Sequence, residues 1–309
     1  MDIAIVGPGA IGSLLIYTLN NASIVPDVYV RDEGRLRHIR CAGGLKIVIR
    51  DEEVNLKANL KLPSDTSKTY DVVLVAVKAY DVEEALKTVS KVLRRDGLVL
   101  SFQNGIGPLE LMERMFGYNR AGAAVITYGL FRYEYVTFLQ GFGEVLIGQR
   151  FSDIHEDLHK LMDILSNGGL KVRYVDDIDK YRWYKLLINA GINPITAILQ
   201  APNKVIIESP EARELAIKTV NEGLKVVNKL GIELPGNPIE GLLNVAKKTG
   251  ENYSSMLQDI VNNRETEIDY INGVIVKKGK ELGIETPINT LLVSIIKGLV
   301  RWRKSLFQQ

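Results

Sequence analysis

The sequence predicts a doubly wound α/β domain built on a parallel sheet, followed by an all-α domain. The first half of the 309 residues alternates short β-branched apolar runs with segments of helical periodicity, a pattern typical of parallel sheets covered by helices. After about Asp176 helical periodicity dominates, and proline and glycine separate its segments. We therefore expect a dinucleotide-binding type of domain at 1–176 and a helical domain at 177–309.

Four apolar runs are the predicted central strands of the first domain. They are DIAIVG (2–7), DVYVR (27–31), VVLVAVK (72–78) and LVLSFQN (98–104). The last two are nearly uninterrupted, as expected for parallel strands buried on both faces. Weaker strands are predicted at 121–127, 144–148 and 171–175, and helices from about Ile11, at 81–93 and at 153–166.

The second domain is predicted to consist of five helices. Turn-forming stretches such as GIELPGNP and GIETP separate the helical patterns. The predicted helices cover 179–200, 209–230, 238–249, 254–282 and 287–304.

The composition excludes some classes of binding partner and indicates the cellular compartment. The chain is 46% hydrophobic, and its 39 basic and 37 acidic residues are interspersed, which argues against a nucleic acid or an anionic membrane as partner. The single cysteine, Cys41, suits a structural role in a reducing compartment. No segment has the pattern of a signal peptide or a membrane span. We expect a cytoplasmic protein without a bound metal.

A glycine-rich motif directly follows the first predicted strand. GPGAIG has the spacing Gly7-x-Gly9-x-x-Gly12 and opens a helix, which is the context of a Rossmann dinucleotide-binding loop. Gly7 permits the tight turn, Gly9 lets the backbone approach a pyrophosphate, and Gly12 allows close packing of helix and strand. The expected cofactor contacts in this loop are Gly7, Pro8, Gly9, Ala10, Ile11 and Gly12.

The end of the second strand predicts the choice of nicotinamide cofactor. Arg31 is the first residue past the apolar run, and Asp32 follows it. An arginine at this point accommodates a 2′-phosphate, whereas an acidic residue binds the ribose 2′-hydroxyl. Arg31 favours NADPH, with NADH through Asp32 as the alternative.

Two polar residues, Lys78 and Asn104, each close a buried strand. The ligand crevice of an open parallel sheet lies beyond the carboxyl ends of its strands, so both are candidate ligand contacts. The alternatives are a solvated strand end for Lys78 and a turn residue before glycine for Asn104. The pattern alone leaves these alternatives open.

The stretch WYKLLINAGINPITAI (183–198) carries one charge in an apolar helical pattern. Lys185, Asn189 and Asn193 follow one another at steps of four and therefore share a helix face. A lysine can donate a proton and the amides can orient a small polar ligand, although a lysine that reaches solvent is the alternative. Pro194 should remove a backbone hydrogen bond and kink the helix near Asn193.

A second candidate segment covers 254–276. Ser255 and Gln258 have the spacing of a capping box, so Ser255 is expected to cap a helix. Because a carboxylate on an apolar stripe needs a partner, Glu267 is expected to face Arg264, Lys185 or a ligand. In a continuous helix one stripe would contain Ile260, Arg264, Glu267, Ile271 and Val274.

With these motifs, the chain resembles the ketopantoate reductase (2-dehydropantoate 2-reductase) family over nearly its whole length. The resemblance rests on GPGAIG, VAVKAY around Lys78, QNGIG around Asn104, WYKLLINAGINPITAI around Lys185, and NYSSMLQDIVNNRETEIDYING around Glu267. The last two blocks are specific, whereas many dehydrogenases share the first. The implied architecture is a Rossmann domain followed by an all-α domain, as in 6-phosphogluconate-dehydrogenase-like proteins.

The resemblance implies NADPH-dependent reduction of the C2 ketone of ketopantoate to D-pantoate, on the route to pantothenate and coenzyme A. It implies that Lys185 is the general acid in an interdomain cleft and that Glu267 lies near the nicotinamide ribose and the substrate hydroxyls. Arg31 and Lys78 would bind the cofactor, with Asn104 between nicotinamide and substrate. The implied substrate contacts are Asn104, Asn189, Asn193, Asn203, Asn252 and Ser255.

Two other functions fit the same motifs. One is a related NAD(P)H-dependent reductase of another 2-keto acid or of an imine, and the other is a dinucleotide-binding sensor without turnover. The line of Lys185, Asn189 and Asn193 favours an enzyme, because a sensor needs no acid. The apolar surface of the helical domain allows a homodimer. The stretch AGAAVITYG (121–129) departs from the family pattern, so we assign no cofactor contact there.

Overall fold

The structure is a computed structural model that describes residues 1–150 and 155–306. The chain divides into two compact units. The first unit contains Met1–Gln103 and Gly107–Ile178, and the second contains Asn104–Ile106 and Asp179–Gln309. The short segment Asn104–Ile106 follows a strand of the first unit in the chain and makes its contacts with the second.

The described residues of the first unit form twelve strands. They are β1 (Ile3–Val6), β2 (Asp27–Tyr29), β3 (Lys46–Ile49), β4 (Glu52–Asn55), β5 (Asn59–Lys61), β6 (Tyr70–Val75), β7 (Leu93–Ser101), β8 (Ala121–Ile126), β9 (Gly129–Tyr133), β10 (Val136–Gly141), β11 (Val145–Gly148) and β12 (Val172–Tyr174).

The main sheet has eight strands in the order β12-β11-β8-β7-β6-β1-β2-β5. All neighbouring pairs are parallel except β8 and β11, which are antiparallel. The central strand β6 is completely buried from Val72 to Val75, as its uninterrupted apolar run predicted. The prediction of a doubly wound, mostly parallel sheet is confirmed.

A second sheet of four strands, in the order β4-β3-β10-β9, was not predicted. β3 and β4 form a hairpin whose two-residue turn, Arg50 and Asp51, has φ angles of 51° and 67°. Such a left-handed turn is usually marked in a sequence by Asn-Gly or Asp-Gly. Because Arg50 and Asp51 do not give that signal, sequence patterns alone miss the hairpin.

In the part of the first unit that the structure describes, five α-helices accompany the sheets. The helix predicted at 153–166 corresponds to the helix Glu156–Asn167. Residues 153 and 154 lie outside the described part of the chain. The helices are α1 (Ala10–Asn21), α2 (Glu33–Cys41), α3 (Val82–Val92), α4 (Pro108–Phe116) and α5 (Glu156–Asn167).

The second unit is helical and has its own apolar core. Its first helix contacts its neighbours closely at glycines: a Cβ on Gly191 would overlap the Leu242 side chain, and one on Gly223 would overlap Leu187. No helix in the described residues is long and apolar enough to cross a membrane. The helices are α6 (Ile178–Leu199), α7 (Val205–Glu208), α8 (Pro210–Lys229), α9 (Pro238–Lys248), α10 (Ser255–Val261), α11 (Asn272–Leu282) and α12 (Pro287–Leu306).

The prediction of one continuous helix over 254–282 is wrong. α10 ends at Val261, and α11 begins only at Asn272. Asn263 adopts a left-handed conformation with φ of 53°, which ends a helix. Arg264 then binds back to Asp259, with 3.2 Å between its Nε and the buried carboxylate oxygen Oδ1. The helical stripe predicted through Arg264 and Glu267 therefore does not exist.

The cap of α10 also differs from the prediction. Ser254, rather than Ser255, precedes the helix, and its Oγ accepts a hydrogen bond of 3.2 Å from the backbone N–H of Leu257. Ser255 is the first helical residue, and the Gln258 amide donates to the carbonyl of Tyr253. The serine pair misled the prediction because either residue fits the preference for Ser at this position.

Candidate active site

The glycine-rich loop has the geometry of a dinucleotide site. Gly7 has φ of +98° and lies against Val77, and a Cβ on Gly12 would overlap the Gly7 carbonyl oxygen, so the fold itself requires both glycines. At Gly9 the nearest atom to a built Cβ is 3.6 Å away. α1 starts at Ala10 without an acidic residue in its first turn. This open helix N-terminus fits the pyrophosphate of a dinucleotide.

Arg31 and Asp32 have different environments after β2. Asp32 caps α2, accepting a hydrogen bond of 2.7 Å from the backbone N–H of Arg35, and this bond lowers the pKa of Asp32. The Arg31 side chain is 69% exposed, with its Nε 3.4 Å from Asp32 Oδ2 and its Nη1 3.9 Å from Asp81 Oδ1. Asp32 is therefore engaged in the helix cap, while the Arg31 guanidinium is accessible to a ligand.

The partly buried Lys78 follows β6 and precedes a 3₁₀ turn that starts at Ala79. Gln103, which the sequence analysis did not select, holds this stretch in place. Its amide donates to the carbonyls of Val75, at 2.6 Å, and Val77, at 3.1 Å. Like Asn104 beside it, Gln103 follows a buried strand, and that position was the available signal.

Arg132 is a second residue that the sequence analysis missed. It lies on β9, is buried, and donates through Nη1 to the carbonyl of Pro8 inside the glycine-rich loop. Its Nε donates to the carbonyl of Glu134 at 2.8 Å. No sequence signal pointed to Arg132, because the sheet that carries it was itself unpredicted.

Lys185, Asn189 and Asn193 lie on α6 at successive helical turns. Lys185 and Asn189 are partly buried, and Asn193 is buried. Burial lowers the pKa of Lys185 to about 8, and the Glu267 carboxylate acts in the opposite direction. Partial burial and the electrostatic effect of the Glu267 carboxylate favour a site lysine over one that reaches solvent.

Glu267 reaches Asn104 through the loop that precedes α11. It is 5% exposed, and the Asn104 Nδ2 lies 3.4 Å from its Oε2. The backbone N–H of Ile106 donates to the Tyr270 carbonyl at 3.0 Å, and a Cβ on Gly105 would overlap the same oxygen. This close backbone contact brings Asn104 to Glu267. Of the three partners considered for Glu267, Arg264 is wrong, since it pairs with Asp259.

Two further candidate residues of the second unit, Asn203 and Asn252, are joined by a backbone hydrogen bond. The backbone N–H of Asn203 donates to the Asn252 carbonyl at 2.9 Å, and the Asn203 side-chain amide donates to Thr249 Oγ1 at 2.9 Å. Among the described residues, the buried Asn203 Oδ1 has no hydrogen-bond partner. Asn203 and Asn252 are thus neighbours.

A hydroxyl pair connects α6 to the start of α10. Thr196 Oγ1 lies 2.8 Å from Ser254 Oγ and 3.1 Å from the carbonyl oxygen of Asn193. Because Ser255 directly follows Ser254, this pair ties the polar end of α6 to the helix that carries Ser255. Within residues 1–150 and 155–306, no group of three acidic, histidine or cysteine side chains could hold a metal ion.

A glycine-rich loop at a parallel sheet and a partly buried lysine near a carboxylate and amides are typical of nicotinamide-dependent oxidoreductases. Comparison with known proteins specifies the family. Residues 3–150 match the family model described as ketopantoate reductase PanE/ApbA, and residues 177–300 match its C-terminal counterpart. A 2-dehydropantoate 2-reductase from Pyrobaculum aerophilum is 41% identical over 95% of this chain and 96% of its own. The chain belongs to the ketopantoate reductase family.

Solved structures agree with this assignment. A ternary complex of D-mandelate dehydrogenase with NADH and anilino(oxo)acetate superposes with a TM-score of 0.90 at 27% identity, covering 98% of this chain and all of the other. A PanE/ApbA family ketopantoate reductase from Ralstonia eutropha JMP134 gives a TM-score of 0.86 at 25% identity, again over 98% of this chain and all of the other. The predictions of the family and of an NAD(P)H-dependent oxidoreductase are confirmed.

Proposed function

We propose that this protein reduces the C2 ketone of 2-dehydropantoate to D-pantoate with NADPH, on the route to pantothenate and coenzyme A. The observation that carries the proposal is that Lys185 shares helix α6 with Asn189 and Asn193 and interacts electrostatically with the buried Glu267. The curated relative at 41% identity is named for this reaction. In this proposal residues 1–176 bind the cofactor and residues 177–309 supply the acid and bind the substrate.

Lys185 is the general acid of the proposed reaction. When bound, NADPH supplies a hydride to the ketone carbon, and negative charge develops on the ketone oxygen. The Lys185 ammonium stabilises that charge and then donates the proton from Nζ. A pKa of about 8 keeps most of this lysine protonated at neutral pH while making it a better acid than an ordinary lysine.

Glu267 and the amides bind and orient in this proposal. The Glu267 carboxylate stabilises the charged form of Lys185 and accepts hydrogen bonds from hydroxyl groups of the substrate or the ribose. Amide and hydroxyl side chains hold the substrate so that its ketone oxygen faces Lys185. These substrate contacts are Asn104, Asn189, Asn193, Asn203, Asn252 and Ser255.

Arg31 selects NADPH in this proposal. Its exposed guanidinium can form charge-assisted hydrogen bonds with a 2′-phosphate, whereas the Asp32 carboxylate is engaged as the cap of α2. Lys78 contributes a second positive charge at the cofactor. The loop from Gly7 to Gly12 takes the pyrophosphate.

A reductase of a larger 2-keto acid is the second candidate function. It is favoured by the superposition with D-mandelate dehydrogenase, whose structure holds NADH and anilino(oxo)acetate, an oxoacetate that carries an aromatic ring. Purified protein would be mixed with NADPH or NADH and with ketopantoate or benzoylformate, and the loss of nicotinamide absorbance followed. We expect the highest kcat/KM with ketopantoate and NADPH. Preference for benzoylformate would overturn the substrate assignment, and preference for NADH would overturn the role of Arg31.

Two further expectations belong to the same proposal. A cytoplasmic location fits the single free Cys41. A homodimer stays a prediction, and it would cover apolar side chains that α12 exposes, among them Leu291, Ile295 and Trp302. The molar mass in solution, measured by light scattering, distinguishes a monomer from a dimer.

A further inference from the structure

Pro194 leaves one carbonyl of α6 without its helical partner. In an α-helix the carbonyl of residue 190 accepts from the N–H of residue 194, and proline has no N–H. The side chain of Asn272 supplies the missing donor: its Nδ2 lies 3.1 Å from the Ala190 carbonyl oxygen. Asn272 is fully buried at the first residue of α11. One amide therefore satisfies the backbone group that Pro194 exposes.

Asn289 fixes the orientation of the Asn272 amide. The Asn272 Nδ2 donates its second proton to Asn289 Oδ1, at 3.0 Å. The Asn289 Nδ2 in turn donates to the Thr219 carbonyl, at 3.1 Å, and to Glu222 Oε2, at 2.7 Å. Because both Asn289 donors have acceptors, its Oδ1 must face Asn272, and the Asn272 donors must face Ala190.

Glu222 anchors this chain of amides on α8. Its buried carboxylate accepts from the backbone N–H groups of Ile288 and Asn289, each at 2.9 Å, in the first turn of α12. Those N–H groups have no partner within their own helix. Hydrogen bonds thus link α6, α8, α11 and α12 at the level of Pro194, and the last link ends on a carbonyl of α6.

We propose that Asn272, held by Asn289 and Glu222, is a positioning residue for the substrate amides Asn189 and Asn193. Ala190 directly follows Asn189, and Pro194 directly follows Asn193, so the bond to the Ala190 carbonyl fixes the helical turn between the two amides. Loss of the bond frees that turn to change its bend and moves one amide relative to the other. This proposal rests on the proposed function, because it assumes that both amides bind substrate.

A double-mutant cycle between Asn272 and Pro194 tests the proposal. Asn272→Ala removes the donor, and Pro194→Ala returns a backbone N–H to the Ala190 carbonyl. We expect Asn272→Ala to raise the KM for ketopantoate at least tenfold while the KM for NADPH changes less than twofold. In the Pro194→Ala background the same substitution should change the ketopantoate KM less than threefold. Additive effects, or a loss of thermal stability with an unchanged KM, would overturn the proposal.

A matched control separates positioning from simple loss of stability. Asn20 also donates both amide protons, to the carbonyls of Ile24 at 3.1 Å and Lys57 at 2.8 Å, but it lies in the first unit. Asn20→Ala should lower the melting temperature and leave the ketopantoate KM unchanged. If Asn272→Ala does not fold, Asn272→Ser replaces it in the cycle.

Amide hydrogen exchange makes the test independent of the substrate. Peptides covering 186–196 should exchange faster in Asn272→Ala than in the wild type, and slow again when Pro194→Ala is added. Unchanged exchange would contradict the positioning role. If the wild-type protein does not reduce ketopantoate, the proposed function fails, and the exchange data still decide whether Asn272 holds α6.

Discussion

At the residue scale, the pKa of Lys185 predicts the pH dependence of the reaction. The acid must be protonated, and its pKa is lowered to about 8, so kcat/KM should fall as the pH rises through about 8. Glu267 favours the charged lysine; Glu267→Gln should therefore shift the falling limb to lower pH. Initial rates across a pH series give the falling limb for each of the two proteins. The same falling limb in both proteins would show that Glu267 does not act on Lys185.

Gly9 provides a second residue-scale prediction. With φ of −79° and 3.6 Å to the nearest atom, Gly9 can accept a methyl group, so Gly9→Ala should cost about 1 kcal/mol of folding stability or less. It should weaken NADPH binding at least tenfold, since the methyl group occupies the approach of the pyrophosphate. Urea denaturation and a fluorescence titration with NADPH measure the two effects.

Gly12→Ala is the contrasting variant, because its methyl group would overlap the Gly7 carbonyl oxygen. It should destabilise the fold clearly more than Gly9→Ala. Equal NADPH affinity in Gly9→Ala and the wild type would argue against the loop as the pyrophosphate site.

Site residues could be predicted from the sequence where the residue type is unusual among its neighbours. Lys185 stood out as one charge in an apolar helix, and Glu267 as a carboxylate among apolar residues. Glu267 is buried, but the helical stripe on which it was expected to lie does not exist. Gln103 and Arg132 act through backbone carbonyls that are distant in sequence, and such contacts leave no local pattern.

At the element scale, the cap of α10 yields a prediction that separates two adjacent serines. Ser254→Ala removes the cap and the partner of Thr196 and should cost about 1–2 kcal/mol in the free energy of unfolding. Ser255→Ala should leave that free energy nearly unchanged and raise the KM for ketopantoate. Chemical denaturation and steady-state kinetics on both variants provide the measurements. A larger stability loss in Ser255→Ala would contradict the assigned cap.

Elements with strong periodicity were predictable, and elements set by an unusual turn were not. α6 was predicted at 179–200 and covers Ile178–Leu199, including Pro194. The break between α10 and α11 depends on the left-handed Asn263 and on the bond from Arg264 to Asp259, and neither can be read from spacing. The hairpin of β3 and β4 likewise depends on a turn whose residues rarely form it.

At the scale of the whole molecule, the fold class followed from the change in hydrophobic period along the chain. Uninterrupted apolar runs predicted the buried parallel strands, and the later helical periodicity predicted the α-helical part. The assignment of Asn104–Ile106 to the second unit was not predictable, because it depends on the backbone contact with Tyr270. These residues are far from Tyr270 in the sequence, and no local sequence pattern indicates that they are in contact.

The proposed function depends on Lys185 as the proton donor in the reduction of ketopantoate. The decisive measurement compares Lys185→Ala with the wild type in NADPH oxidation at saturating ketopantoate, together with the dissociation constant for NADPH. Lys218→Ala, which removes an exposed lysine of α8 paired with Glu214, is the control. We predict a fall in kcat of about 100-fold or more for Lys185→Ala, with unchanged NADPH affinity and a normal rate in the control. Near-normal turnover of Lys185→Ala would show that Lys185 is not the proton donor.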